Sequence, residues 1–248
     1  MRLATLGVAA LLLYATAALA QDYEREKRWA DEVVPGVVVG DAVWLEGAAG
    51  RKFLGLYAPA KPERPALVIV HGIGVHPDHG VIGVLRARLN DLGYPTLSIQ
   101  MPVLAADKRG DDYYPKLFPD ALERIASAAA WMKARGHARL VLVSHSMGSW
   151  MANEYLDAHP RAPFEAWASL SLTGGYSWGT YFSARPILDV YGEEDMPPSL
   201  DAAWRRRLAL STTPARSRQV MISGADHFYL KRETELAAVI DAWLREVP

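Results

Sequence analysis

Residues 144–148, with the sequence Ser-His-Ser-Met-Gly, have the clearest potential for chemistry in this chain. They follow a leucine and valine run at residues 140–143 and precede a helix-compatible run at 149–156. A strand, a small-x-Ser-x-Gly turn and a helix are typical of a nucleophile elbow, which exposes the serine hydroxyl on a rigid turn. Because a serine hydroxyl is a weak nucleophile at neutral pH, Ser146 needs a base beside it. The first small residue is Ser144, where glycine is more usual.

An acid and a base follow Ser146 in the chain order that such a turn requires. Asp195 follows a predicted strand that begins at residue 187, and His227 follows the last predicted strand. The carboxyl ends of parallel strands meet at one edge of a sheet, where open α/β sheets build their sites. The sequence therefore predicts Ser146 as nucleophile, His227 as base and Asp195 as the acid that orients the base.

Other residues compete for the roles of acid and base. Four further carboxylates lie near the two predicted partners: Asp189, Glu193, Glu194 and Asp226. The first lies inside its predicted strand, and the last adjoins His227 and is expected to point away from it. The two glutamates share a turn with Asp195 and stay open as alternatives. His145 adjoins Ser146 in a tight turn, so we expect it to line the substrate pocket.

Acyl transfer also needs hydrogen-bond donors for the negative charge that develops on the substrate oxygen. We expect one donor to be the backbone N–H of Met147, the residue after the nucleophile. The second is expected from the Gly-rich loop that follows the first parallel strand. There Ile73 is the preferred donor, Gly74 is the alternative, and His71 is expected to line the substrate site.

Side chains of the types that ligate metals also cluster in this loop. Within nine residues lie His71, His76, Asp78 and His79. Zinc needs three or four ligands that converge tetrahedrally, and no helical spacing holds these residues on one face. We therefore predict no metal and no cofactor, and expect the cluster to fix the loop through hydrogen bonds.

The elements that must position these residues alternate between strand and helix from residue 66 onward, which predicts a mostly parallel sheet covered by helices on both faces. Strands are expected at residues 66–70, 95–100, 139–143, 166–172, 187–191 and 219–222. Helices are expected at residues 81–92, 119–134, 147–158, 200–211 and 233–245. Two β-rich runs around residues 47–50 predict an antiparallel hairpin before the parallel strands.

Charged segments and two connections complete the organisation of the chain. Residues 21–35 are charged and helix-compatible, so we expect a poorly anchored arm, and the three arginines at 205–207 predict a solvated helix face. Only 14 residues, 173–186, join two predicted strands, which leaves no room for a cap domain. Residues 103–118 are long for a strand-to-helix connection, so a lid there stays an alternative.

Residues 1–20 are typical of a signal peptide, with Arg2, an apolar stretch and a small-x-small cleavage site before Gln21. We expect an exported protein, periplasmic or secreted, with no stable membrane anchor after cleavage. Residues 21–248 are expected to form a single domain. A net charge of −1 does not indicate a nucleic-acid partner. The absence of cysteine excludes a disulfide framework.

Four short segments together resemble the α/β hydrolases. They are His-Gly-Ile-Gly at residues 71–74, the turn at 144–148, Gly-Glu-Glu-Asp at 192–195 and Gly-Ala-Asp-His at 224–227. Residues 76–78 and 98–103 are similar to a branch of exported bacterial α/β hydrolases whose members are mostly uncharacterised. The resemblance covers about residues 36–248. It implies an α/β-hydrolase fold, with an N-terminal antiparallel hairpin and no large cap domain.

The predicted site and the resemblance together imply a serine hydrolase of the carboxylesterase or lipase type. Its expected substrate is a small-molecule acyl ester or thioester, cleaved through an acyl-enzyme on Ser146. An acyltransferase and an amidase remain alternatives, because the same triad performs both reactions. A non-catalytic binding protein with this fold is the alternative from another class. Fold does not fix the substrate.

Overall fold

A computed structural model of the protein describes residues 21–47, 50–113, 116–177, 184–214 and 216–247, without the side chain of Asp111. The predicted signal peptide lies outside these residues, and so does the central part of the connection at 173–186.

Eight strands form one sheet in the order β1-β2-β4-β3-β5-β6-β7-β8. The strands are β1 (Asp41–Glu46), β2 (Lys52–Ala58), β3 (Ala66–Val70), β4 (Thr96–Ile99), β5 (Leu140–His145), β6 (Phe164–Leu170), β7 (Ile187–Glu194) and β8 (Arg218–Asp226). The helices are α1 (Tyr23–Val33), α2 (Gly80–Asp91), α3 (Gly110–Tyr113), α4 (Phe118–Ala134), α5 (Met147–Ala158), α6 (Pro197–Leu210) and α7 (Glu233–Leu244), with a 3₁₀ turn at Val34–Gly36.

The sheet confirms the predicted topology. Strands β1 and β2 form an antiparallel hairpin, β2 pairs antiparallel with β4, and the strands from β3 to β8 pair in parallel. One apolar core lies between the sheet and helices α4 and α5, and a second lies between the sheet and helices α2 and α7. Both faces are therefore covered, which explains why β3 is buried along its whole length.

The last two strands run further than their apolar residues indicate. The sequence predicts a final strand at 219–222, but β8 continues through Asp226, the residue before His227. Its pairing with β7 contains an irregularity between Gly192 and Glu194. A Cβ built on Gly192 would lie 2.2 Å from the carbonyl oxygen of Ala225, so only glycine fits there. This close approach brings the ends of β7 and β8 together below the site.

The expectation of a poorly anchored N-terminal arm is wrong. In α1, the Glu26 carboxylate pairs with Arg124 at 3.0 Å, and both side chains are buried. The N–H of Asp22 donates to the carbonyl of Val103 at 2.7 Å. The charged residues of this segment predicted solvent exposure, but one of them, Glu26, is the partner of a buried arginine of α4. An unpaired buried charge is strongly destabilising, so this pair fixes where the arm docks.

The arginine run at 205–207 is also less exposed than predicted. Arg205 and Arg207 are exposed, but Arg206 is fully buried and pairs with the equally buried Asp189 at 2.9 Å. Its guanidinium also donates to the carbonyl of Leu172 at 2.7 Å. Arg206 therefore ties α6 to β7 and to the end of β6, and the solvated face belongs to its two neighbours alone.

The connection at 103–118 packs into the core. Leu104, Leu117 and Phe118 are buried, and so is Tyr113, whose hydroxyl accepts a hydrogen bond from the N–H of Leu104 at 3.1 Å. Its described residues are not among those that line the cavity at Ser146. Among the described residues, no helix is both long and apolar enough to cross a membrane.

Candidate active site

Ser146 lies at a sharp turn between β5 and α5. Its backbone has φ 56° and ψ −123°, a conformation that non-glycine residues adopt only under constraint. The constraint comes from packing of α5 against the loop after β3. A Cβ built on Gly148 would lie 2.4 Å from the carbonyl oxygen of His71, so glycine is required there. The turn therefore places the Ser146 side chain at the cavity, just before α5 begins.

Ser144, which stands where glycine is more usual, is accommodated by hydrogen bonds. Its hydroxyl is buried, accepts from the indole N–H of Trp167 at 2.8 Å and lies 3.0 Å from the hydroxyl of Ser149. The Ser149 hydroxyl lies 3.2 Å from the carbonyl of Leu170 and donates to it. The extra hydroxyl at Ser144 is therefore satisfied, as a buried polar group must be, and it links the elbow to β6.

Three predicted residues form one hydrogen-bonded chain. His227 Nδ1 lies 2.6 Å from Asp195 Oδ1, and His227 Nε2 lies 2.8 Å from Ser146 Oγ. A carboxylate only accepts hydrogen bonds, so Nδ1 carries the proton and Nε2 is left as the acceptor of the serine hydroxyl. Both His227 and Asp195 are buried. This tautomer is the one in which a histidine can take a proton from serine.

The surroundings of Asp195 favour its ionised form. Its carboxylate accepts from the hydroxyl of Ser171 at 2.6 Å and from the N–H of Met196 at 2.7 Å. Burial alone would raise the pKa of Asp195, but the hydrogen bonds from His227 and Ser171 outweigh burial and lower that pKa. Ser171 was not predicted from the sequence. The sequence places it inside the strand expected at residues 166–172, whereas β6 ends at Leu170, so its position just past the strand had no sequence signal.

Three of the four competing carboxylates have other partners. Glu193 is bound to the hydroxyl of Ser223 at 2.6 Å, outside the chain of three residues. Asp189 pairs with Arg206, as described above. Asp226 accepts the N–H groups of Phe228 and Leu230, which confirms that it points away from the imidazole. Asp195 is thus the carboxylate that contacts His227.

His145 lines the cavity, as predicted, and also supports the loop that carries His227. Its Nε2 donates to the backbone carbonyl of His227 at 2.8 Å. Burial, together with the nearby His227 ring, lowers the pKa of His145 to about 4, so the ring is neutral at neutral pH. A neutral neighbour leaves His227 free to gain a positive charge.

His71 does not line the cavity, and this prediction is corrected. The ring is fully buried beneath the loop, where Nδ1 donates to the carbonyl of Gly72 at 2.7 Å and Nε2 accepts from the N–H of Met101 at 2.9 Å. Burial lowers the pKa of His71 to about 3. A neutral ring with both nitrogens bonded fixes the loop to the end of β4.

The loop after β3 lies directly against the elbow. A Cβ built on Gly72 would lie 3.2 Å from the Cβ of Ser146, so this glycine permits a close approach. Ile73 lines the cavity together with Ser146. The N–H of Met147 is at the first position of α5, where a helix provides no internal acceptor. Gly74 is not among the residues that line the cavity, and its carbonyl accepts from Arg25 at 3.1 Å.

Arg25 of α1 was not predicted to approach the site. Its guanidinium donates to the carbonyls of Gly74 and, at 2.8 Å, of Leu104, and it stacks 4.4 Å over the ring of Trp29. From the other side, Gln100 donates to the carbonyl of Val75 at 3.2 Å. The loop is therefore held by two elements that are far from it in sequence, and neither contact has a local sequence signal.

The polar side chains of residues 76–79 make contacts within the fold. Asp78 pairs with Arg86 of α2 at 2.5 Å, and its N–H donates to the ring of His76 at 3.3 Å. In the part of the chain that the structure describes, no group of three or more His, Asp or Glu side chains is arranged to hold a metal ion.

A cavity of about 290 Å³ opens at Ser146 and His227. Its walls come from the loop after β3, from the start of α2 and from the turns that follow Asp195 and His227. A larger hollow of about 530 Å³ lies between α6 and β8. None of the three hydrogen-bonded residues lines that hollow, so the smaller cavity is the candidate active site.

Comparison with known proteins places these features on a familiar fold. A family model described as "Protein of unknown function (DUF3530)" matches residues 8–111. No curated protein sequence shows significant similarity to the chain.

Solved structures are similar over most of the chain. Est1E from Butyrivibrio proteoclasticus, with ferulic acid bound, has a TM-score of 0.66 at 17% identity and covers 83% of this chain and 99% of its own. Dienelactone hydrolase from Anabaena variabilis has a TM-score of 0.63 at 20% identity, and the match covers 83% of this chain and 96% of its own. An α/β serine hydrolase without a lid from Xanthomonas campestris has a TM-score of 0.59 at 16% identity, and the match covers 85% of this chain and 95% of its own. The chain therefore has the α/β-hydrolase fold.

Proposed function

We propose that this protein is a serine hydrolase that cleaves a small-molecule ester or thioester through an acyl-enzyme. The observation that carries the proposal is the hydrogen-bonded chain from Ser146 through His227 to Asp195, with heavy-atom distances of 2.8 and 2.6 Å. The strained turn at Ser146 supports it as well, because such strain persists where the surrounding structure enforces it and clusters at active sites.

In the first step, Ser146 Oγ attacks the substrate carbonyl carbon while its proton passes to His227 Nε2. His227 is then a cation, and the ionised Asp195 at Nδ1 stabilises it. The lowered pKa of Asp195 keeps its carboxylate charged for this purpose. His227 next gives its proton to the leaving oxygen or sulfur, the bond from carbon to the leaving group breaks, and the acyl group remains on Ser146.

The negative charge on the substrate oxygen needs donors during this step. The N–H groups of Met147 and Ile73 are the proposed pair, because one follows the nucleophile and the other lines the same cavity. Gly74 is the less favoured alternative, since it is not among the residues that line this cavity.

Hydrolysis is completed by water. A water molecule loses a proton to His227 Nε2 and attacks the acyl carbon, and the proton then returns to Ser146 Oγ as the acid is released. The described residues of 103–118 do not line the cavity, which supports access of water to the acyl-enzyme. We also propose that the protein acts outside the cytoplasm after removal of residues 1–20, on a small-molecule substrate.

Labelling by a fluorophosphonate probe tests the proposal. The native protein is expected to react, and Ser146→Ala is expected to abolish labelling and esterase turnover. Ser211→Ala, at an exposed serine far from the cavity, is the matched control and is expected to react like the native protein. Labelling that survives in Ser146→Ala would remove Ser146 from the role. A native protein that neither labels nor cleaves esters would indicate a binding protein instead.

A further inference from the structure

Three exposed apolar side chains surround the mouth of the cavity. Met196, Phe228 and Leu230 are 42%, 58% and 64% exposed, and all three line the cavity that contains Ser146. Nine large hydrophobic side chains are exposed among the described residues, so a third of them gather at this one place. We name these three residues the apolar rim. Apolar groups clustered on a surface are typical of a binding site.

The apolar rim is held in place by the fold. Tyr229, between two of its members, is fully buried with φ 54°, and its hydroxyl donates to the carbonyl of Val190 at 3.0 Å. The carboxylate of Asp226 accepts the N–H groups of Phe228 and Leu230, each at 3.0 Å. Because Tyr229 is anchored inward, the residues on either side of it are directed outward.

The apolar rim continues into an apolar wall inside the cavity. The wall is formed by Ile73, Val75, Val81 and Ile82. The cavity volume of about 290 Å³ equals roughly ten water molecules at about 30 Å³ each. That space suits a chain of about six to eight carbons or a single ring, with the apolar rim covering the part that reaches the mouth.

The charge of the lining excludes one class of ligand. Glu233 lines the cavity, and no lysine or arginine does so among the described residues. A substrate with a carboxylate or phosphate on its apolar end would meet like charge and find no cationic partner.

We infer that the substrate carries an uncharged apolar group, of about six to eight carbons or one ring, and that the apolar rim sets this preference. The inference rests on the hydrolase function proposed above. Its physical basis is removal of the ligand's apolar surface from water. Because the rim is open, part of that surface stays in contact with water.

Two ester series test the inference on the full protein. The acyl series is p-nitrophenyl acetate, butyrate and octanoate, and the alcohol series is ethyl and octyl acetate. In one of the two series, kcat/KM is expected to rise about twofold for each added methylene, which is half of the full transfer free energy of a methylene. Over the six methylenes from acetate to octanoate, the rise is roughly 60-fold. The series that rises identifies the side of the scissile bond that enters the cavity. The hemisuccinate ester is expected to react at least tenfold more slowly than the butyrate.

A matched pair of variants links the preference to the apolar rim. Leu230→Ser is expected to lower the ratio of long-chain to acetate activity about fivefold. Leu208→Ser, at a leucine of α6 with a similar exposure of 60%, is expected to leave that ratio unchanged. Both leucines are exposed, so both variants are expected to fold, and thermal unfolding verifies this.

The outcomes separate the two proposals. Fluorophosphonate labelling at Ser146 with acetate turnover, but with flat or falling activity in both series, would overturn the inference and leave the hydrolase function standing. A rise that persists in Leu230→Ser would also overturn the role of the apolar rim. Absence of both labelling and turnover would overturn the hydrolase function and the inference together.

Discussion

At the scale of single residues, the backbone of Ser146 shows how the site is maintained against its own local preference. A non-glycine residue at φ 56° and ψ −123° costs about 1–3 kcal/mol relative to a relaxed backbone. The strain is offset because the turn lets Gly148 of α5 pack closely against the carbonyl of His71. The nucleophile is therefore kept in place by packing of its neighbours.

We predict that Ser146→Gly is more stable than Ser146→Ala, although both lack the nucleophile. Glycine relieves the backbone strain and alanine does not, so the free energy of unfolding should differ by about 1 kcal/mol after the entropy of glycine is subtracted. Urea unfolding measures the difference.

Ser211 provides the control for this comparison. Its φ is −66°, which any residue adopts, so there Ser211→Gly should be less stable than Ser211→Ala. The same order at both sites would contradict the assignment of strain to Ser146.

At the scale of elements, α1 supports the site from outside the sheet. Its Arg25 holds the carbonyl of Gly74, and its Glu26 pairs with Arg124. The loop that Arg25 holds contains Ile73, a proposed oxyanion donor. Donors of this kind act mainly in the transition state, so their misplacement should alter kcat more than KM.

We predict that Arg25→Gln lowers kcat about tenfold, equivalent to about 1.4 kcal/mol of transition-state stabilisation, with KM changed less than twofold. Arg28→Gln, at an exposed arginine of the same helix, is the control and should keep both constants. Steady-state kinetics on an ester substrate provide the measurement. A rise in KM alone would indicate that Arg25 supports substrate binding and not the oxyanion loop.

The elements also show which parts of the fold and of the candidate site can be predicted from the sequence. Apolar periodicity and turn residues predicted β3 and α5 with the bounds that are observed, and loop order predicted Asp195 and His227 beside Ser146. Docking of α1 was missed, because a buried ion pair between Glu26 and an arginine of α4 has no local pattern.

Burial of His71 was missed for a related reason. A histidine that lines a site and a histidine that supports it from below have the same sequence context. Only the partners at Gly72 and Met101 distinguish the two roles, and pairing of β4 beside β3 brings Met101 there.

At the scale of the whole molecule, two buried neutral histidines affect stability in acid. Burial holds the pKa of His145 at about 4 and that of His71 at about 3, whereas an unfolded histidine has a pKa of about 6.5. As the pH falls below 6.5, the unfolded chain takes up protons that these folded side chains do not. The contribution of these two histidines to the free energy of unfolding is therefore present above pH 6.5 and is lost as the pH falls toward their folded pKa values.

We predict that His145→Gln lowers the slope of unfolding free energy against pH between 6 and 4.5 by up to about 1.4 kcal/mol per pH unit. Glutamine keeps a donor for the carbonyl of His227 but does not titrate. Urea unfolding at several pH values measures the slope. His159→Gln, at an exposed histidine, is the control. Equal slopes in His145→Gln and the native protein would show that His145 is protonated in the folded state.

The docking of α1 also bears on the order of events during maturation. The predicted cleavage site directly precedes Gln21, which is only 7% exposed and whose side chain is bound to Glu26. A peptidase must bind extended chain on both sides of the bond that it cuts, and it cannot do so while Gln21 and Asp22 are packed against the fold.

We therefore expect cleavage to come first and docking of α1 second. A folded precursor should resist signal peptidase, and the same precursor in urea should be cut; equal cleavage of both would contradict this order. Because α1 carries Arg25, the docking that would hide this bond from a peptidase is the same docking that gives the oxyanion loop its support, so protection of the chain's new start and completion of the site would be one event.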